Sequence, residues 1–98
     1  MKTEKDLFNY YKRQCNKKRV TCYKVQAENA NGWPDLFLAY KGRVFLVELK
    51  SPAKTGRLSE RQKIIHNTLR LQGVNVYVSE SKESADEIIA KITDVQPT

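Results

Sequence analysis

Asp35, Glu48 and Lys50 are the residues of this chain whose types and spacing best suit chemistry. Side chains alternate along a strand, so Glu48 and Lys50 share one face. If Asp35 faces Glu48 from a neighbouring strand, the two Cβ atoms lie roughly 4.5–5.5 Å apart and the carboxylates repel each other. A proton or a nearby lysine relieves that repulsion, and a divalent cation suits two oxygen donors best. The peptide carbonyl of Leu49 is a further oxygen ligand for such a cation.

A metal held by two carboxylates in a basic protein favours phosphodiester hydrolysis. The metal would polarise the phosphoryl oxygen and help to generate hydroxide, while Lys50 orients the water or stabilises charge on the phosphate. Taken singly, Pro34-Asp35 is typical of a turn, and Glu48-Leu49-Lys50 is typical of a surface ion pair. Their combination at the ends of two adjoining strands favours the metal site.

The two apolar stretches that carry these residues predict a β-hairpin. Residues 36–40 and 43–50 flank Lys41-Gly42, which has the composition of a two-residue turn. In that register Tyr40 faces Arg43 and Asp35 faces Glu48. A three-residue loop or a bulge would break the alignment.

The rest of the chain predicts helices and strands that position the hairpin. Apolar periodicity and capping residues predict the order αβββαβα, an α/β fold with a small mixed sheet flanked by helices. The elements are a helix over 4–15 capped by Thr3, a strand over 20–27, the hairpin, a helix over 60–72 capped by Ser59, a strand over 74–78 and a helix capped by Ser81. The predicted inward stripe of the second helix is Ile65, Thr68/Leu69 and Gln72.

Three residues outside the hairpin have two interpretations each. Gln62 completes a capping box with Ser59, which suffices to explain it, although a helix N-terminus also offers N–H groups to phosphate. His66, one turn later, is interpreted first as a surface or packing residue and second as a substrate contact. Glu4 suits the first turn of a helix through the helix dipole, and it is also held open as a site residue.

Bulk properties restrict the class of protein. The 98 residues predict a single domain over 1–98, small enough to gain from oligomerisation. Cys15 and Cys22 lack metal-site spacing and indicate unpaired thiols in a reducing compartment. No signal peptide or transmembrane run is visible, so we expect a cytoplasmic location.

The net charge of +7 favours a polyanionic partner, most simply nucleic acid. A basic cluster at Lys17, Lys18 and Arg19 is a candidate phosphate contact or a solvated turn. Lys54 and Arg57 lie in a loop that would either reach over a phosphate backbone or serve as a linker.

Three motifs occur in an order that resembles a known family. Gly32-Trp33-Pro34-Asp35, the strand 45–50 ending in Glu48-Leu49-Lys50, and Leu58-Ser59-Glu60-Arg61-Gln62 are similar to motifs of the PD-(D/E)xK nuclease superfamily. More narrowly, they resemble its VRR-NUC (virus-type replication-repair nuclease) branch. The similarity runs from the first helix to Val78.

This resemblance implies a restriction-endonuclease-like core and Mg²⁺- or Mn²⁺-dependent DNA cleavage. It implies that Asp35 and Glu48 are metal ligands, that Lys50 is the catalytic lysine and that Gln62 is an active-site helix residue. It also implies a glutamate on the first helix, for which Glu4 is the best match. Small members of the family resemble phage or bacterial proteins that dimerise and act on branched DNA, including four-way junctions.

The sequence therefore predicts a homodimeric, metal-dependent, structure-selective DNA endonuclease in a bacterial cell or a phage-infected host. The competing interpretation is a non-catalytic nucleic-acid-binding module that keeps the nuclease fold. A nuclease directed at RNA differs only in substrate, and the sequence does not distinguish it.

Overall fold

A computed structural model describes residues 3–26, 32–51 and 57–94 of the chain. The elements in these ranges follow the predicted order αβββαβα. None of their helices is long and apolar enough to span a membrane. The elements are α1 (Glu4–Lys17), β1 (Thr21–Lys24), β2 (Leu36–Tyr40), β3 (Arg43–Leu49), α2 (Glu60–Leu71), β4 (Asn75–Ser79) and α3 (Lys82–Thr93).

The four strands form one mixed sheet in the order β1-β2-β3-β4. The first three strands are antiparallel, and β4 joins β3 in parallel after the crossover through α2. The hairpin register is confirmed, since Tyr40 pairs with Arg43 and Leu36 pairs with Val47. Lys41 and Gly42 both have positive φ angles, 48° and 82°, as a two-residue type I′ turn requires.

Two helices cover one face of the sheet and the third covers the other. Side chains of β2 and β3 that point to the first face, such as Leu38 and Val47, are fully buried with residues of α1 and α3. Alternation turns Glu48 to the opposite face, where it meets α2. The apolar residues of α3 that recur at helical spacing are all buried: Ala85, Ile88, Ile89 and Ile92.

Two local predictions differ from the structure. The first strand covers only Thr21–Lys24 of the predicted range 20–27, of which residue 27 lies outside the described residues, and its Cys22 packs towards the core. The inward stripe of α2 is also rotated, because Thr68 and Gln72 are exposed while Ile65 and Leu69 are half-buried. His66 is the residue of α2 that is fully buried.

Gly32 is required where the chain enters the hairpin. Its φ is +86°, and an added Cβ would lie 2.9 Å from Ile65 Cδ1 and 3.0 Å from Arg61 Cγ. A side chain would therefore meet α2 in an already strained conformation. The close approach fixes the start of β2 against the first turns of α2.

Core packing on the α1/α3 face predicts a large cost for truncating Leu38. Leu38→Ala removes a side chain that is 0 % exposed, and we expect a loss of about 2–5 kcal/mol in the free energy of unfolding. Val44→Ala, on the next strand and 42 % exposed, is the matched control and should cost less than about 1 kcal/mol. Urea unfolding measures both, and equal losses would contradict the assignment of the core.

Candidate active site

The confirmed hairpin register brings Asp35 and Glu48 together. Leu36 pairs with Val47, so Asp35 and Glu48 stand one step further along the two strands. Asp35 Oδ2 accepts a hydrogen bond of 2.8 Å from the backbone N–H of Leu49. This bond turns the Asp35 side chain across the end of β3, next to the carboxyl group of Glu48.

Glu48 is a buried acid, with only 3 % of its surface exposed. Burial raises the pKa of Glu48 well above its usual range, and the hydrogen-bonding contact with Asp35 and its charge raise it further. The charge of Lys50 opposes this shift in part. The metal-free site therefore favours a protonated Glu48 at neutral pH.

Gln62 links Glu48 and Lys50 across the first turn of α2. Its Oε1 accepts hydrogen bonds from Lys50 Nζ and from the backbone N–H of Ser59, both 2.9 Å long. Its Nε2 therefore faces Glu48 and donates to Oε2 at 3.3 Å. The capping box predicted from Ser59 and Gln62 is present, and the Gln62 side chain also positions Lys50 and Glu48.

His66 lies beside the other carboxylate oxygen of Glu48. The imidazole is fully buried, and its Nε2 is 3.6 Å from Glu48 Oε1. Burial lowers the pKa of His66, and the positive charges of Arg70 and Lys50 lower it further, so the ring is neutral. A buried ring has no surface for a substrate, which makes His66 a packing residue. His66 follows Gln62 by four residues, so the two side chains share one face of the helix, and this spacing alone could have predicted that His66 faces Glu48.

Glu4 lies at the Asp35 side of the site. It begins α1 and lines a cavity of about 510 Å³ together with Lys5, Lys24, Asp35 and Leu49. Its negative charge also contributes to the raised pKa of Glu48. Among the described residues, no three His, Cys, Asp or Glu side chains lie close enough together to hold a metal ion.

The oxygen donors nevertheless fit a hard divalent cation. Mg²⁺ typically binds through one or two carboxylates and keeps its other positions for water and substrate phosphate. Asp35 and Glu48 provide that pair, and Glu48 Oε1 is buried without a hydrogen-bond partner in the described structure. The Leu49 carbonyl, proposed as a ligand, belongs to the residue whose amide Asp35 fixes.

The predicted basic contacts lie at two different places. Lys17, Lys18 and Arg19 are exposed where α1 ends, and the last two line a cavity with the hairpin turn, at the opposite end of β3 from Glu48. Arg57 is exposed just before the cap of α2. Lys54 lies outside the described residues.

Two comparisons with known proteins, one of sequence and one of structure, indicate the same family. The family model for the VRR-NUC domain matches residues 4–83. A solved structure described as a VRR_NUC domain superposes with a TM-score of 0.76 at 27 % identity, covering 89 % of this chain and 95 % of that chain. A search of curated proteins finds no match. The four-stranded mixed sheet and its three helices thus have the restriction-endonuclease-like fold of that domain.

The buried acid predicts a stability effect in the metal-free protein. A carboxyl group whose pKa is higher when folded stabilises the fold at low pH, and this contribution is lost as pH rises above the usual value of about 4.3. Glu48→Gln keeps the shape without the charge. In EDTA at pH 8 we expect it to be more stable than the wild type by about 1–3 kcal/mol, with the difference shrinking towards pH 4.

Denaturant unfolding across roughly pH 4–9, the range over which an acid of raised pKa titrates, measures this difference. Glu60→Gln removes an exposed carboxylate from α2 and is the control, for which the curve should follow the wild type. A Glu48→Gln protein that is less stable than the wild type at pH 8 would show that Glu48 is not an uncompensated acid.

Proposed function

Because the chain belongs to the VRR-NUC family, a nuclease-type domain, we propose that it is a Mg²⁺- or Mn²⁺-dependent DNA endonuclease. The proposal extends to structure-selective cleavage of branched DNA, including four-way junctions, by a homodimer whose 98-residue chains each form one nuclease domain. Its cellular setting would be the cytoplasm of a bacterium or a phage-infected host. The observation that carries it is the pair formed by half-buried Asp35 and buried Glu48, beside a Lys50 that Gln62 positions.

Asp35 and Glu48 are the proposed metal ligands, with the Leu49 carbonyl between the pair and Lys50. A bound Mg²⁺ or Mn²⁺ supplies Lewis-acid activation of the phosphate and lowers the pKa of water. Burial and the neighbouring Asp35 carboxylate disfavour ionised Glu48 more than Lys50 favours it. The additional positive charge of a bound cation would reverse that preference. Glu4, which lines the cavity beside Asp35, is proposed as an outer acidic residue of the same site.

Lys50 is the proposed catalytic cation. Its ammonium group is held at 2.9 Å by Gln62 Oε1, which limits the rotamers of a flexible side chain. A fixed positive charge next to the ligand pair orients the attacking water or stabilises the charge that develops on the scissile phosphate. Gln62 thus serves as a positioning residue that joins Lys50 to Glu48 through one amide group.

Self-association is proposed on the outer side of α2. Ile64 and Leu71 lie two turns apart on that helix and are 64 % and 87 % exposed. A small chain gains buried apolar surface when two copies cover such residues.

Analytical ultracentrifugation tests this contact. The wild type should sediment with twice the mass of one chain, and Leu71→Glu should shift the protein towards the monomer because a charge would enter the shared apolar surface. Lys63→Glu, on the same helix at an exposed position, is the control. A wild-type monomer at all concentrations would refute the homodimer.

Cleavage of labelled DNA tests the enzymatic proposal. Asp35→Ala and Lys50→Ala should each lower the rate by at least about 100-fold, since the first removes a proposed metal ligand and the second the proposed catalytic cation. DNA binding should change little, because the basic surface is intact. Glu60→Ala and Lys63→Ala remove an exposed acid and an exposed lysine of α2 and are the matched controls.

The substrate panel should include linear, flap and four-way-junction DNA together with RNA, each with Mg²⁺, with Mn²⁺ and with EDTA. Faster cleavage of branched DNA, abolished by EDTA, is the expected result. Binding without cleavage in any metal would instead establish the non-catalytic module. Preferential cleavage of RNA would correct the substrate class and leave the site in place.

A further inference from the structure

Two cavities follow one another along α1, between this helix and the edge strand β1, and a third lies past the end of the helix at the hairpin turn, where Thr21, Ala39 and Val44 line it from the other face of the sheet. The first contains Asp35, the second lies beside the middle of α1, and the third reaches the hairpin turn. We name the three together the α1–β1 trough. Its α1-side lining residues are, in order, Lys5 and Asn9, then Lys12, Arg13 and Asn16, then Lys18 and Arg19 just past the helix.

The charge of the trough changes along its length. Acidic side chains line only the first cavity, where Glu4 and Asp35 lie. The lining residues described for the second and third cavities include no acid. They carry six positive charges, contributed by Lys12, Arg13, Lys18, Arg19, Lys41 and Arg43. A surface of this kind attracts a polyanion that extends away from the acidic site.

Two lysines are held over the trough from opposite walls. Lys12 Nζ on α1 and Lys24 Nζ on β1 each lie 5.5 Å from the centroid of the Phe8 ring. Cation–π contacts of this kind restrain the ammonium groups without neutralising them. These two ammonium groups are therefore held between α1 and β1.

Two structural explanations account for only part of this pattern. Cations near the end of a helix interact well with its dipole, which explains Lys17 and Lys18. Lysine on an edge strand discourages edge-to-edge pairing, which explains Lys24. Neither accounts for Lys12 and Arg13 in the middle of α1, so a ligand for the whole trough is the simpler account.

We infer that the α1–β1 trough binds the sugar–phosphate backbone of a DNA arm that leads away from the phosphate at Asp35 and Glu48. The inference rests on the proposed function and adds a binding surface to it. The 14 residues of α1 span about 20 Å, which corresponds to about six base pairs at 3.4 Å each. A second copy of the chain is a poor occupant, because it would bring the same positive charges against this surface.

The test compares two double variants with equal charge. Lys12→Glu/Lys18→Glu alters the trough, whereas Lys82→Glu/Lys91→Glu alters exposed lysines of α3; each lowers the formal charge of +7 by four. Fluorescence anisotropy measures the Kd for DNA with arms of about four and about twelve base pairs, chosen to fall short of and to exceed the trough, over a range of salt. Lys12→Gln/Lys18→Gln provides a milder variant if the first unfolds.

We expect the trough variant to bind the long-armed DNA at least about tenfold more weakly and to lower the slope of log K against log salt by about two. Binding of the short-armed DNA and its cleavage rate at saturation should change far less, and the α3 variant should resemble the wild type.

Equal losses in both variants, or on both arm lengths, would overturn the inference while leaving the nuclease intact. A change in sedimented mass with unchanged DNA affinity would show instead that copies of the chain meet at the trough. A wild type that binds trough-length DNA but never cleaves would refute the proposed function alone.

Discussion

The structure depends on keeping two carboxylates together in a buried place. Asp35 and Glu48 face each other at the end of the hairpin, and Glu48 is almost fully enclosed. Like charges this close are unfavourable without a proton or a cation between them. The fold accepts that cost because the register of β2 against β3 is fixed by packing along its whole length. A one-residue slip would turn every core residue of β3 towards α2.

The surrounding elements serve to complete and fix this pair. Gly32 lets the chain approach α2 closely before β2 begins. The capping box of α2 fixes Gln62. Its amide oxygen then accepts a hydrogen bond from Lys50, and its amide nitrogen donates one to Glu48. The N-terminus of α2 is therefore capped by the same side chain that positions Lys50 and Glu48. The site therefore forms where three locally determined features meet: the hairpin register, the glycine before β2 and the capping box of α2.

The hairpin and its charged ends were predictable because a two-residue turn leaves one register and the pleat assigns the faces. The helix caps were predictable because Ser and Thr at those positions bind backbone N–H groups locally. The phase of α2 was not predictable from apolar spacing. Gln62 and His66 point inwards towards Glu48, so two polar residues decide the rotation of the helix.

The location of the basic residues also depended on tertiary structure. Lys18 and Arg19 follow α1 in sequence, yet they meet Lys41 at the far end of the hairpin. Their distance from Glu48 depends on how α1 runs along the sheet, and composition carries no such information. Similarly, Cys22 faces the core because β1 pairs with β2 in one register, which the short strand alone did not specify.

The most direct measurement of the central claim is anomalous diffraction from crystals soaked with Mn²⁺. The account predicts a peak within coordination distance of both the Asp35 and Glu48 carboxylates in the wild type, and its loss in Glu48→Gln. Peaks confined to other acidic residues, or a saturating soak that leaves the pair without metal, would contradict the claim that Asp35 and Glu48 form a divalent-cation site.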